Sequence, residues 1–167
     1  MAVIGIDPGT ALTGYGIVEE LQNQSLHVVD FGVIRTDSSD KPEIRLKNIF
    51  SQLNEILSLY KPETGAVEKL FFQRNTRTAM SVGQARGVAI LSLAEAGLSI
   101  CEYGPVEIKQ AVVGYGRASK SQVQQMVKML LNLNEIPKPD DAADALAVAI
   151  CHIHSRKMLA VQQDCIS

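Results

Sequence analysis

The stretch MAVIGIDPGT, residues 1–10, decides how the rest of the chain is read. Val3, Ile4 and Ile6 form a β-prone run too short for a buried helix, and Asp7-Pro8-Gly9-Thr10 is a stop-and-turn signal. A buried strand therefore ends by delivering a carboxylate, Asp7, at a sheet edge, where α/β proteins build their sites. Gly9 lacks a Cβ, so a phosphate or a metal ion can approach the backbone there. The same residues would also close an ordinary strand with an Asx-type turn. What gives Asp7 weight is that three further carboxylates occupy comparable positions.

Outward from that strand, Leu12 to Glu20 and Leu26 to Thr36 both read as strands, completing a three-stranded antiparallel meander. Asp40 and Glu43 have capping-box spacing around Pro42, which predicts a helix start. Leu46, Ile49, Phe50, Leu53, Ile56, Leu57 and Tyr60 recur at steps of three and four, the pattern of a helix buried on one face. Thr64 to Leu70 reads as a strand delivering Glu68 near its end, and the strand, helix, strand connection lets it lie parallel beside the first. A loop at Phe71 to Asn75 leads to a long helix over roughly Thr76 to Ala96, and Leu98 to Tyr103 is a fifth strand. Pro105 opens a helix to Val113. Ser119 with Gln122 is a second capping box, opening a helix to about Asn132. The last helix begins at Asp140 or Asp141, after Pro137-Lys138-Pro139. The expected organisation is one domain over residues 1–159 with a short tail, 160–167.

At 167 residues, 46% hydrophobic and 20% charged, the composition is that of a soluble globular α/β protein. No apolar run approaches a membrane span and no signal-peptide pattern is present, so the cytoplasm is the expected location. Cys101, Cys151 and Cys165 lack C-x-x-C spacing, which indicates neither a disulfide framework nor a zinc site. The net charge of −2 conceals an asymmetry. Between Glu68 and Glu95 the only charged residues are Lys69, Arg74, Arg77 and Arg86, and between Glu107 and Glu135 they are Lys109, Arg117, Lys120 and Lys128. Two basic windows in an otherwise acidic chain are an electrostatic footprint for nucleic acid, although solvated helix faces could carry the same charges.

Asp7 and Glu68 fall at strand ends, and Asp141 and Asp144 fall in the first turns of the last helix. Residues i and i+3 share a helix face, so Asp141 and Asp144 can point at one spot. The spacing does not exclude Asp140 with Asp144, at i and i+4, as the working pair. Helix capping and dipole complementation explain Asp140 and Asp141, but explain Asp144 poorly because it lies deeper among alanines. Four crowded carboxylates repel one another unless hard cations neutralise them, a task suited to two Mg²⁺ ions about 3.5–4 Å apart. His152 and His154 are two apart on the same helix and cannot easily share a metal, so they read as surface or satisfied side chains.

GIDPGT at Gly5 to Thr10, VEKLFF at Val67 to Phe72, GQARG at Gly83 to Gly87, KQAVVGYGRASKSQVQ at Lys109 to Gln124 and DAADALAVAICH at Asp141 to His152 together resemble the RuvC Holliday junction resolvases of bacteria. The resemblance covers nearly the whole chain in order. It implies a ribonuclease H-like fold with a five-stranded mixed sheet flanked by helices. It further implies a homodimer, two Mg²⁺ per active site with Mn²⁺ expected to substitute, and paired cleavage of four-way DNA junctions leaving 5′-phosphate and 3′-hydroxyl ends in recombination and repair. It assigns the catalytic acids to Asp7, Glu68, Asp141 and Asp144, puts Lys109 and Lys120 near the scissile phosphate and Phe71 near the junction centre, and implies a partnership with RuvA and RuvB. Arg74, Arg77, Arg86 and Arg117 are the other expected DNA contacts, from the basic windows. Phe71 or Phe72 could instead plug the core. The long helix, with small residues Ser81, Gly83, Ala85, Gly87 and Ala89, could form the dimer surface or simply pack on its own sheet.

Two other classes fit parts of the pattern. The sugar-kinase and actin-like ATPases also follow a first strand with Asp-x-Gly, but need two such domains, which this length does not supply. A catalytically silent nucleic-acid module of the same fold would have no need of all four acids.

Overall fold

A computed structural model describes residues 1–69 and 76–164 of the chain, with side chains described for 1–69 and 79–156. The opening run forms β1 (Ala2–Asp7), hydrogen-bonded on one side to β2 (Leu12–Glu20) and on the other to β4 (Thr64–Glu68). β3 (Leu26–Arg35) pairs antiparallel with β2, and β5 (Ser99–Tyr103) pairs parallel with β4. The sheet order is β3-β2-β1-β4-β5, a meander continued by two parallel strands as the sequence predicts.

Alternation along the strands sorts the core into two faces. Ile4, Ile6, Ile17, Ile34 and Val67 pack with α1 (Pro42–Tyr60) and α2 (Thr76–Glu95) through Ile49, Leu53, Ala85, Ala89 and Leu93. Val3, Val18 and Ala66 pack on the other face with α3 (Pro105–Val113), α4 (Lys120–Leu130) and α5 (Asp140–Asp164). No helix of the described residues is long and apolar enough to cross a membrane.

Two local expectations need correction. Asp40 does not cap α1: Lys41 is the N-cap, in extended backbone and with no side-chain cap bond, because it precedes Pro42 at the first helical position. Ser119 and Gln122, by contrast, do form the reciprocal capping box of α4. The last helix runs to Asp164, since Ala160 to Gln163 contain no glycine or proline to break it. Gly9 does not serve an open approach, because a Cβ there would lie 2.3 Å from the Leu12 carbonyl oxygen of its own turn. Thr13 and Thr36 lock that turn, their hydroxyls donating to the Gly9 and Thr10 carbonyls at 2.6 Å each.

Candidate active site

What brings the two halves of the site together is missing side-chain volume. On the face toward α5, Gly5 of β1 lies opposite Gly16 of β2, and Asp7 lies opposite Gly14. A Cβ on Gly5 would come within 2.2 Å of the Ala145 carbonyl oxygen, and one on Gly14 within 2.0 Å of the Asp141 carbonyl oxygen. At Gly16 it would meet Leu146. The helix backbone therefore lies directly on the strands, with the turn that carries Asp141 beside Asp7.

Asp7, Glu68 and Asp144 line one cleft of about 320 Å³ together with Pro8, Lys69, Val82 and Pro105. An adjoining cleft of about 230 Å³ is lined by Glu68, Asp144, Lys109 and Lys120 among others. Asp141 lies near enough for its charge to act on Asp7 and Asp144. Asp140 stands outside the clefts and exposed, its Oδ1 accepting from Gln124 at 3.0 Å and its Oδ2 lying 3.3 Å from the Lys120 ammonium. Lys120 also donates to Asp144 Oδ2 at 2.9 Å.

Burial and mutual repulsion dominate the electrostatics. Asp7 is pushed up to about 8, first by burial, then by the charges of Glu68, Asp144 and Asp141. Glu68 rises to about 7, again by burial and then by Asp144, against the pull of Lys120, a hydrogen bond with Asp7 and the pull of Lys109. Asp144 is also raised by burial, with Lys120 opposing. Asp7 and Glu68, hydrogen-bonded to each other, thus favour keeping a proton at a pH where free carboxyls have lost theirs. An oxygen-only donor set that resists carrying its full negative charge fits a hard divalent cation, which would replace that proton. Among the described residues no three carboxylate, histidine or cysteine side chains already converge on one point as a finished cage.

The sign of the pH dependence follows. A carboxyl whose pKa is raised by folding keeps a proton that the unfolded chain has lost, so stability falls as pH climbs toward the raised value. Buried His152, lowered to about 4 by burial and then by Arg156, acts oppositely, and its effect is largely spent about one pH unit above its ordinary 6.5. Between about pH 7.5 and 8 the raised acids dominate. The melting temperature of EDTA-treated protein is expected to fall across that window, and added Mg²⁺ to raise it most at the upper end; a flat or rising profile without metal would contradict the shared proton.

The basic residues expected at DNA divide. Lys109 and Lys120 line the cleft, and Arg117 is exposed between α3 and α4. Arg86 is instead turned to its own sheet, where Nε donates to Glu102 Oε1 of β5 at 2.8 Å and the pair is about one-third exposed. Phe71 and Arg74 lie outside the described residues, as does the side chain of Arg77. His152 is satisfied rather than ligating: Nδ1 lies 2.9 Å from the Tyr103 hydroxyl and Nε2 3.1 Å from that of Thr64. His154 lies 2.9 Å from the Ala111 carbonyl oxygen. Sequence reasoning missed the strand glycines under α5, whose signal was the spacing of two between Gly14 and Gly16 along β2, with Gly5 on β1.

A three-stranded meander extended by two parallel strands, with carboxylates on neighbouring strand ends and on a helix crossing them, defines a ribonuclease H-like protein. The RuvC family model, described as crossover junction endodeoxyribonuclease RuvC, matches residues 3–152. The chain belongs to the RuvC family of crossover junction endodeoxyribonucleases. It is 54% identical over 164 residues to the Caldicellulosiruptor saccharolyticus RuvC, covering 98% of this chain and 99% of that one. Two solved structures superpose closely: Thermus thermophilus RuvC at TM-score 0.87 and 37% identity, and T. thermophilus RuvC in complex with a Holliday junction substrate at 0.86 and 34%. Each comparison covers 95% of this chain and 96% of the other.

Proposed function

We propose that this chain resolves four-way DNA junctions by metal-dependent hydrolysis, with Asp7, Glu68, Asp141 and Asp144 as its catalytic acids. The observation that carries the reading is one cleft lined by Asp7, Glu68 and Asp144, whose neighbour is rimmed by Lys109 and Lys120. The related T. thermophilus protein was solved with a Holliday junction, which supports the same substrate here.

The four acids would hold two Mg²⁺, with Mn²⁺ substituting, and the bound ions would polarise the scissile phosphate and acidify a water. The protein's own part is positioning. Lys109 and Lys120 face the cleft and neutralise the phosphodiester, while the sheet and α5 hold the carboxylates rigid. Attack of water forms a new P–O bond as the bond from phosphorus to the 3′ oxygen breaks, leaving a 5′-phosphate and a 3′-hydroxyl. Exposed Arg117 extends the basic rim, and Phe71, Arg74 and Arg77 are proposed as further junction contacts. Arg86, already paired with Glu102, is the weakest of the expected DNA contacts.

Symmetric cutting needs two such sites, which a C2 dimer provides. The inner face of α2 is used by its own core, through Ala85 and Ala89. Its outer face presents Met80 at 75% exposure and Leu91 at 51%, with nothing within 4 Å of a Cβ on Gly87 between them. That apolar stripe with a gap is the proposed contact with a second copy. One domain over 1–159, action in the cytoplasm and cooperation with RuvA and RuvB complete the reading, the last two on family resemblance.

The test is a synthetic four-way junction beside a linear duplex of the same sequences. Cutting of the junction with Mg²⁺, its loss with EDTA and no cutting of the duplex are expected. ATP-dependent binding without cutting would contradict the assignment.

A further inference from the structure

Lys120 stands where two demands on it conflict. Its ammonium is held between Asp144 Oδ2 at 2.9 Å and Asp140 Oδ2 at 3.3 Å. Asp144 is about one-quarter exposed and lies in the cleft; Asp140, one turn earlier on α5, is 60% exposed and lies outside it. A cation that binds Asp144 through Oδ2 must displace the ammonium, because both cannot use the same oxygen at close range, and one bound through Oδ1 is repelled by the ammonium beside it. Asp140 is built to receive it. Its other oxygen accepts from Gln124, one turn along α4 from Lys120, and the Ser119–Gln122 capping box fixes the start of that helix.

We propose that Asp140 is a positioning residue: Lys120 serves as the internal counter-ion of Asp144 in the metal-free site, and Asp140, steadied by Gln124, retains the ammonium at the cleft rim once a metal takes Asp144. The inference rests on the reading of Asp144 as a metal ligand. Its consequence is that metal entry turns Lys120 from a partner of Asp144 into a cation held by Asp140 at the cleft rim, within reach of the phosphate, without a search by a long flexible side chain.

The experiment is Mn²⁺ binding to the full chain without DNA, followed by the paramagnetic signal of free Mn²⁺. Lys120→Met removes the competitor and is expected to tighten Mn²⁺ binding. Asp140→Asn removes the receiving group and is expected to weaken it about two- to fivefold, the scale of an exposed ion pair. Gln124→Leu keeps every charge and loosens only the bracket, so it should weaken binding in the same direction. In the Lys120→Met background both effects should vanish, since nothing remains to be received.

If Asp140→Asn weakens binding equally with and without Lys120, Asp140 acts only through its field and the inference fails, as it does if Lys120→Met fails to tighten binding. Absence of saturable Mn²⁺ binding in the unmodified protein would instead overturn the metal reading beneath it. Melting temperatures of the three single and two double variants within a few degrees of the parent keep the comparison one of folded proteins.

Discussion

Asp7→Asn, Glu68→Gln and Asp144→Asn are each expected to reduce junction cutting by at least about a hundredfold, the scale on which even outer partners of a metal act. Junction affinity should change far less. The acids sit at strand ends and on α5 along the clefts, whereas Lys109 and Lys120 on the adjoining cleft and exposed Arg117 are the groups proposed to meet the backbone phosphates. Phosphate contacts position a nucleic acid, and removal of a carboxylate near them eases rather than weakens that attraction. Rates on a synthetic junction and gel-shift affinities in Ca²⁺ measure the two separately. Near-parental cutting in any one of these variants would remove that residue from the site.

The second large effect is steric and starts from a residue with no chemistry. Gly14→Ala puts a methyl group 2.0 Å from the Asp141 carbonyl oxygen and 2.5 Å from its carbonyl carbon, both backbone atoms of α5. No rotamer can relieve this, so the first turn of α5 must lift from β2. Overpacking of this kind destabilises by about 1–3 kcal/mol or more, or a fall in melting temperature of about 3–10 °C for a chain of this length. Because the displaced turn carries Asp141 beside Asp7, cutting should be lost well below the melting transition. Gly16→Ala meets the Leu146 side chain at 2.7 Å as well as its backbone nitrogen at 2.9 Å, and should destabilise with a smaller loss of cutting. A Gly14→Ala protein that cuts and melts like the parent would show that α5 does not need this contact.

The contrast between these two predictions marks what the sequence could say. Asp7 and Glu68 were legible because a β-prone run that stops at a carboxylate is a local pattern, and Asp144 because a carboxylate deep among alanines fits no capping role. The glycines under α5 were not, since their meaning depends on a helix more than a hundred residues away in the chain. Arg86 illustrates the same limit: its partner Glu102 is on another strand, and a count of charges along a window does not reveal which are already neutralised. The false cap at Asp40 arose from a spacing rule that ignored how Pro42 holds Lys41 extended. Asp140 was left open as a possible member of the catalytic pair, and the fold turns it outward to Lys120 and Gln124.

The central claim is that two copies of this cleft act together on one junction. It is tested most directly on a junction held in a supercoiled plasmid, where one cut leaves a nicked circle and two leave a linear molecule. The protein alone with Mg²⁺ should give linear product, and co-expressed mixtures with Asp7→Asn chains should give nicked circles in proportion to the heterodimer. Linear product without any nicked circles from that mixture, by a protein that sediments as a monomer on the junction, would contradict the account.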